Sequence, residues 1–223
     1  MMTKEHLIHA QDVSIQFFKA IENNKLIVAG KTESQLNEEI SDLGLKEFGI
    51  RRHWHKKIVR AGKNTLSIYN EDPPDRTIEE DDILFVDLGP IVKGYEADIG
   101  RTYVVGNDSR KLKLKNDVET AWYEIQAWYQ HQTTLKASTL FQYAAGKAKE
   151  YGWAFGGAIA GHIIGKYPHE QPLDPQSLEL DVHPDNPNDI FLRDEDGNDR
   201  HWILELQFVD KEQGIGGYFE QLL

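Results

Sequence analysis

Asp87, Asp98, His162, Glu205 and Glu220 are four carboxylates and one imidazole, each in a local pattern that suits a ligand of one shared dinuclear metal centre. The two aspartates carry this argument furthest from residues alone. Ile83 to Pro90 reads as a buried strand and Tyr95 to Val105 as a second, with Val92-Lys93-Gly94 as the turn between them. A two-residue loop at Val92 and Lys93 sets Asp87 directly across from Asp98, and a bulge at Gly94 would shift that register. Two carboxylates facing each other in an apolar hairpin repel, and desolvating each costs on the order of several kcal/mol. A divalent cation offsets both penalties. One Asp near a glycine more often caps a turn; a facing pair in a buried hairpin points to a cation.

His162 lies in the run Gly161-His162-Ile163-Ile164-Gly165-Lys166-Tyr167-Pro168-His169-Glu170-Gln171-Pro172. The flanking glycines permit close backbone approach, and His169 is boxed by prolines on both sides. A lone histidine is more often structural, whereas two in this setting, after the turn at Gly156-Gly157, favour a site. Trp202, Leu204, Leu206 and Phe208 fill one face of a strand, which puts Glu205 and Gln207 on the other. Taken alone, Glu205 reads as a solvated position, and Glu220, after Gly216-Gly217-Tyr218-Phe219, as an exposed tail residue.

The elements that must position these residues come as helices then a hairpin, twice over. Apolar spacing predicts a helix from about Lys4 to Asn23. A second runs from the Thr32 cap, with Gln35 completing a capping box, to Phe48 before Gly49. Further helices are predicted over Asn116 to His131 and, capped by Ser138, to Tyr151 before Gly152. The stretch 174–200, with nine acids and three prolines, reads as a surface loop, a lid over the site being the alternative.

Composition bounds the function. The 223 residues suit one domain, 1–223, with helices over 1–50 and 174–200 as an acidic loop insertion. A net charge of -12 argues against nucleic acid or an anionic membrane as partner and mildly favours a peptide's cationic amino end. The absence of cysteine excludes disulfides, thiolate ligands and a thiol nucleophile. No apolar signal region or membrane-length run is present, so the expected location is cytoplasmic. A homodimer stays open.

The strings Val86-Asp87-Leu88-Gly89, Gly94 to Thr102, Gly161-His162 to Gly165, His169-Glu170-Gln171-Pro172, Ile203-Leu204-Glu205 and Phe219-Glu220 together resemble the ordered signature of the methionine aminopeptidase, aminopeptidase P and prolidase superfamily of metallopeptidases. The similarity covers most of 55–223. It implies the α+β pita-bread fold, two pseudo-related halves whose antiparallel strands curve around two metals. It also implies that Asp87, Asp98, His162, Glu205 and Glu220 are the ligands. Such a donor set suits two ions of Mn, Fe, Co or Zn, and an acidified bridging hydroxide would attack the scissile carbonyl. The resemblance then casts Glu205 as the proton carrier and His169 as the group that stabilises the oxyanion or holds substrate. Arg101 and Thr102 would orient ligands.

The chain also departs from the pattern. Tyr69 stands where superfamily members usually carry a substrate-binding histidine, and His55 or His53 is the candidate replacement. Ile163 replaces a small residue, and at 223 residues the sequence is expected to be too short for the extra N-terminal domain typical of aminopeptidase P and prolidase. The expected function is a dinuclear hydrolase of the aminopeptidase or Xaa-Pro type acting on peptides or dipeptide-like substrates. The alternatives are a non-catalytic pita-bread module that binds a peptide or protein, and a metal-free hydrolase of creatinase type.

Overall fold

A computed structural model describes residues 2–174 and 176–223, so Met1 and, within the acidic stretch, Pro175 lie outside the described residues. Helices α1 (Met2–Asn23) and α2 (Glu33–Phe48) come first, followed by β1 (Ile58–Ala61) and a short 3-10 turn (Gly62–Leu66). Strands β2 (Ile83–Leu88), β3 (Ile91–Val92), β4 (Tyr95–Glu96) and β5 (Ile99–Val104) precede α3 (Ser109–Tyr129) and α4 (Ala137–Glu150). Strands β6 (Ala154–Phe155), β7 (Ile163–Ile164), β8 (His201–Asp210) and β9 (Ile215–Leu222) complete the chain.

One antiparallel sheet runs in the order β1-β2-β5-β9-β8-β6, with β7 added to β8, while β3 and β4 form a separate ribbon. Helices α1 and α2 pack on the β1-β2-β5 half around Phe17, Ile21, Ile40 and Val86. Helices α3 and α4 pack on the β8-β9 half around Trp122, Leu140, Leu206 and Phe208. Full burial of such side chains contributes roughly 1.5–3 kcal/mol each. The expected order of helices then hairpin, twice over, is what is found.

Sequence-readable caps hold where chemistry is local. Thr32 and Gln35 form the reciprocal capping box of α2, and Gly49 ends it at a left-handed φ of 66°. Three expectations are corrected. Helix α3 starts at Ser109, not near Asn116, because the Asp108 side chain accepts from the Lys111 amide (2.9 Å) and starts a turn that lacks apolar periodicity. Ser138 is not a cap: α4 begins at Ala137, and the carbonyls of Asn188 and Asn186 accept from the Ala137 and Ser138 amides, both at 2.9 Å. Those carbonyls belong to the acidic stretch, which is no free surface loop. Its Leu180, Val182 and Ile190 are buried against α3, α4 and β8, and its Asn186 amide donates to the carbonyls of Leu178 and Asp181.

The hairpin register is the fourth correction. Its turn is Lys93-Gly94, with φ of 51° and 82°, the left-handed pair that a two-residue hairpin loop requires and that Gly94 adopts without penalty. Asp87 therefore stands opposite Gly100, not Asp98, which occupies the break between β4 and β5. A shift of two residues preserves the strand parity.

Candidate metal centre

Pairing across the sheet explains how distant residues meet. Asp87 on β2 pairs with Gly100 on β5, Gly100 with Glu220 on β9, and Glu220 with Glu205 on β8. Directly opposed residues share a face, so three acids and a glycine form one row across four strands, on the side away from the helices. Alternation on β8 sends Leu204, Leu206 and Phe208 into the helix-packed core and Glu205 into a cavity of about 380 Å³. Asp98, His162, His55 and Asp87 line the same cavity.

Two groups of potential ligands lie within it. Ligand atoms of His55, Asp87 and Asp98 are all within 4.8 Å of one another, as are those of Asp98, His162 and Glu220. Asp98 belongs to both, its Oδ2 lying 3.2 Å from His162 Nε2 and its Oδ1 3.1 Å from His55 Nε2. His162 Nε2 is 3.9 Å from Glu220, and His55 Nε2 is 3.6 Å from Asp87 Oδ1. Glu205 stands outside both groups; its Oε2 accepts a hydrogen bond from the Tyr218 hydroxyl at 2.7 Å.

Crowding the acids together has the expected electrostatic effects. Burial pushes Asp87 up to about 7, reinforced by Asp98 and Glu205 and opposed by His55. Burial and the three neighbouring acids raise Glu220 well above the carboxylate range, and burial raises Glu205. Burial would raise Asp98 too, but His55 and His162 hold it below the usual range. The aspartates diverge because Asp98 touches two imidazoles closely and Asp87 only one, at the longer distance. Burial alone favours neutral imidazoles, yet Asp98 and its neighbours push His55 up to about 10 and His162 up to about 9. Asp87 Oδ1 and Glu220 Oε2 are buried without a hydrogen-bond partner. An orphaned buried carboxylate oxygen is costly, and two of them in an acid-rich pocket fit a cation-binding site.

The strand carrying Glu220 is held by the residues that follow Gly100. Thr102 Oγ1 donates to the Tyr218 carbonyl (2.8 Å) and accepts from its amide (2.6 Å), while Arg101 donates to the Glu220 carbonyl (2.8 Å).

The other expected residues are placed as follows. Tyr69 sits half-exposed on the cavity rim, its ring centroid 6.1 Å from that of His55. The rim is anchored by buried Arg60, which donates to the carbonyls of Ser67 (2.5 Å) and Glu71 (2.6 Å). His169 does not line this cavity but the neighbouring groove, with Nδ1 2.7 Å from buried Glu96. His53 and His55 do not share a strand face, since the segment between α2 and β1 is irregular. His53 is half-buried, with its Nε2 buried and unpartnered, and desolvation lowers it to about 4.

Sequence reasoning passed over Trp54 and Tyr218. The Trp54 indole packs edge-on against His55, His162 and His169 at centroid distances of 4.6, 5.3 and 5.2 Å. Nothing local in the sequence signals that contact. Tyr218 was legible, because it lies two residues from Glu220 and so on the same strand face.

The profile of metallopeptidase family M24 matches residues 5–192. A methionine aminopeptidase of Staphylococcus epidermidis is 31% identical over 148 residues, covering 64% of this chain and 58% of that protein. An Xaa-Pro dipeptidase of Lactobacillus helveticus is 31% identical over 157 residues, 69% of this chain and 42% of that one. A solved dipeptidase of Pyrococcus horikoshii superposes with a TM-score of 0.74 at 25% identity, over 96% of this chain and 55% of its own. The pita-bread fold is thereby established, and the chain spans about half the length of these relatives.

Proposed function

Because this chain belongs to metallopeptidase family M24, we propose that it is a dinuclear metal-dependent peptidase of the aminopeptidase or Xaa-Pro type, acting on short peptides. The observation that carries this reading is the row Asp87, Gly100, Glu220, Glu205, which with Asp98 and His162 surrounds one cavity and leaves two buried carboxylate oxygens unsatisfied. Asp87, Asp98, His162, Glu205 and Glu220 would hold two divalent ions of Mn, Fe, Co or Zn, for which oxygen and imidazole donors are suited. When bound, such ions supply Lewis acidity towards a peptide carbonyl.

The chain's own side chains do the rest. Glu205 is the proton carrier: burial raises its pKa, the Tyr218 hydroxyl fixes its carboxylate through Oε2, and the carboxylate takes a proton from the nucleophile and passes it to the leaving amine. The acidic cavity attracts the substrate's ammonium group, and Tyr69 with Ile68 at the rim covers its first side chain. His169, in the adjoining groove beyond the Trp54 ring, holds the substrate further along its backbone.

Elemental analysis of protein purified without chelator, followed by a panel of Xaa-Pro, Met-Xaa and other short peptides, tests this reading. Two transition-metal ions per chain and cleavage of at least one peptide class are expected. Metal without cleavage of any peptide would favour a binding module, and cleavage without metal a creatinase-like hydrolase.

A further inference from the structure

His55 and His162 are set up alike. Each places Nδ1 on the backbone carbonyl of the residue that follows it, His55 on Lys56 at 2.7 Å and His162 on Ile163 at 2.8 Å. With Nδ1–H donated there, loss of the second proton leaves the lone pair on Nε2, the arrangement that an imidazole ligand uses. Both Nε2 atoms face Asp98, one at each carboxylate oxygen, 3.1 and 3.2 Å away. Each Nε2 faces that carboxylate through either its own proton or a cation, and in a loaded site the cation takes the proton's place between them. The His55 side chain is only 5% exposed. Its ring fills the space over Gly89, where any β-carbon would collide with it. Asp87 Oδ1, 3.6 Å from His55 Nε2, is buried and otherwise unpartnered.

We infer that His55 is a metal ligand, binding with Asp87 and Asp98 the ion that His162 does not reach. This rests on the dinuclear reading above and changes its donor set to four carboxylates and two imidazoles, with one imidazole for each ion and Asp98 shared between them. His55 then leaves the substrate-binding role that the missing histidine at Tyr69 suggested. A second nitrogen donor biases the centre towards Zn and Co and away from Mg and Mn.

Zinc and cobalt(II) uptake by calorimetry, combined with X-ray absorption at the metal edge, tests this on the full chain. The unaltered protein loaded with two ions is expected to show on average one imidazole per ion. H55A is expected to keep one tight ion and to bind the second at least about tenfold more weakly, the lower bound seen even for partners outside the ligand set. The H55Q variant, closer in size, guards against a folding defect, and the absorption measurement needs no variant. Two ions with half an imidazole per ion, and unchanged affinities in H55A, would overturn the assignment of His55 alone. Uptake of fewer than two ions by the unaltered protein would overturn the dinuclear reading and His55's place in it together.

Discussion

Among single residues, Glu205 has the most specific prediction attached to it. Glu205→Gln keeps the shape and the Tyr218 contact but cannot carry a proton, so kcat should fall by about 10²–10⁴ even when measured at saturating metal. Retained turnover would remove Glu205 from its role. Tyr218→Phe tests the hydroxyl separately. That hydrogen bond favours the Glu205 carboxylate, so its loss raises the Glu205 pKa further, and the acidic limb of the pH–rate profile should move to higher pH. An unmoved limb would show that the bond tunes nothing. The pH dependence of the metal-free fold follows from linkage. Asp87, raised to about 7, binds its proton more tightly folded than unfolded, as do His55 and His162 at about 10 and 9. Where the folded state holds more protons, stability falls with rising pH. The Asp87 contribution is lost between about pH 4 and 7, and the histidine contributions from about pH 6.5 up to about 9–10. Thermal unfolding of chelator-treated protein should therefore show Tm decreasing from pH 5 to 9; a rising Tm would contradict the protonation pattern. At this scale Asp87, Asp98 and His162 announced themselves by residue type and neighbours. Glu205 and Glu220 did not, because a lone Glu on a strand reads as solvated until its cross-strand partner is known.

At the scale of elements, legibility followed locality. The α2 cap was readable because Thr32 and Gln35 are three residues apart and satisfy each other. The start of α4 was not, because its amides are met by carbonyls about fifty positions away in sequence, at Asn186 and Asn188. The β2–β5 register was misplaced by two because Lys93 adopts a left-handed φ more often expected of glycine or asparagine. The even error kept Asp87 on the face that lines the cavity. Thr32→Ala should cost about 1 kcal/mol in denaturant unfolding and leave metal affinity alone. Arg101→Ala should do the reverse in emphasis. Beyond the single register pair Gly100–Glu220, the Arg101 and Thr102 side chains tie β5 to β9. Losing the Arg101 clamp on the Glu220 carbonyl should weaken metal binding by about 10–100-fold. Unchanged affinity would mean that the sheet alone positions Glu220.

For the molecule as a whole, two helix-covered half-sheets meet at β5 and β9, and the acids collect on the uncovered face where the halves join. The fold class and the repeated order of elements were legible because apolar periodicity is a property of the chain. The convergence of His55 on Asp98 was not, because the irregular segment between α2 and β1 carries no period and its path is set by hydrogen bonds to Gly89, Ile91 and Ala97, distant in sequence. Among the described residues no helix is long and apolar enough to cross a membrane. The most direct test of the central claim is anomalous diffraction at transition-metal edges, from crystals of protein purified without chelator. Two peaks about 4 Å apart are predicted, both in contact with Asp98, one beside His162 and the other beside Asp87. Density for no ion in this cavity, or for ions bound elsewhere on the chain, would contradict it.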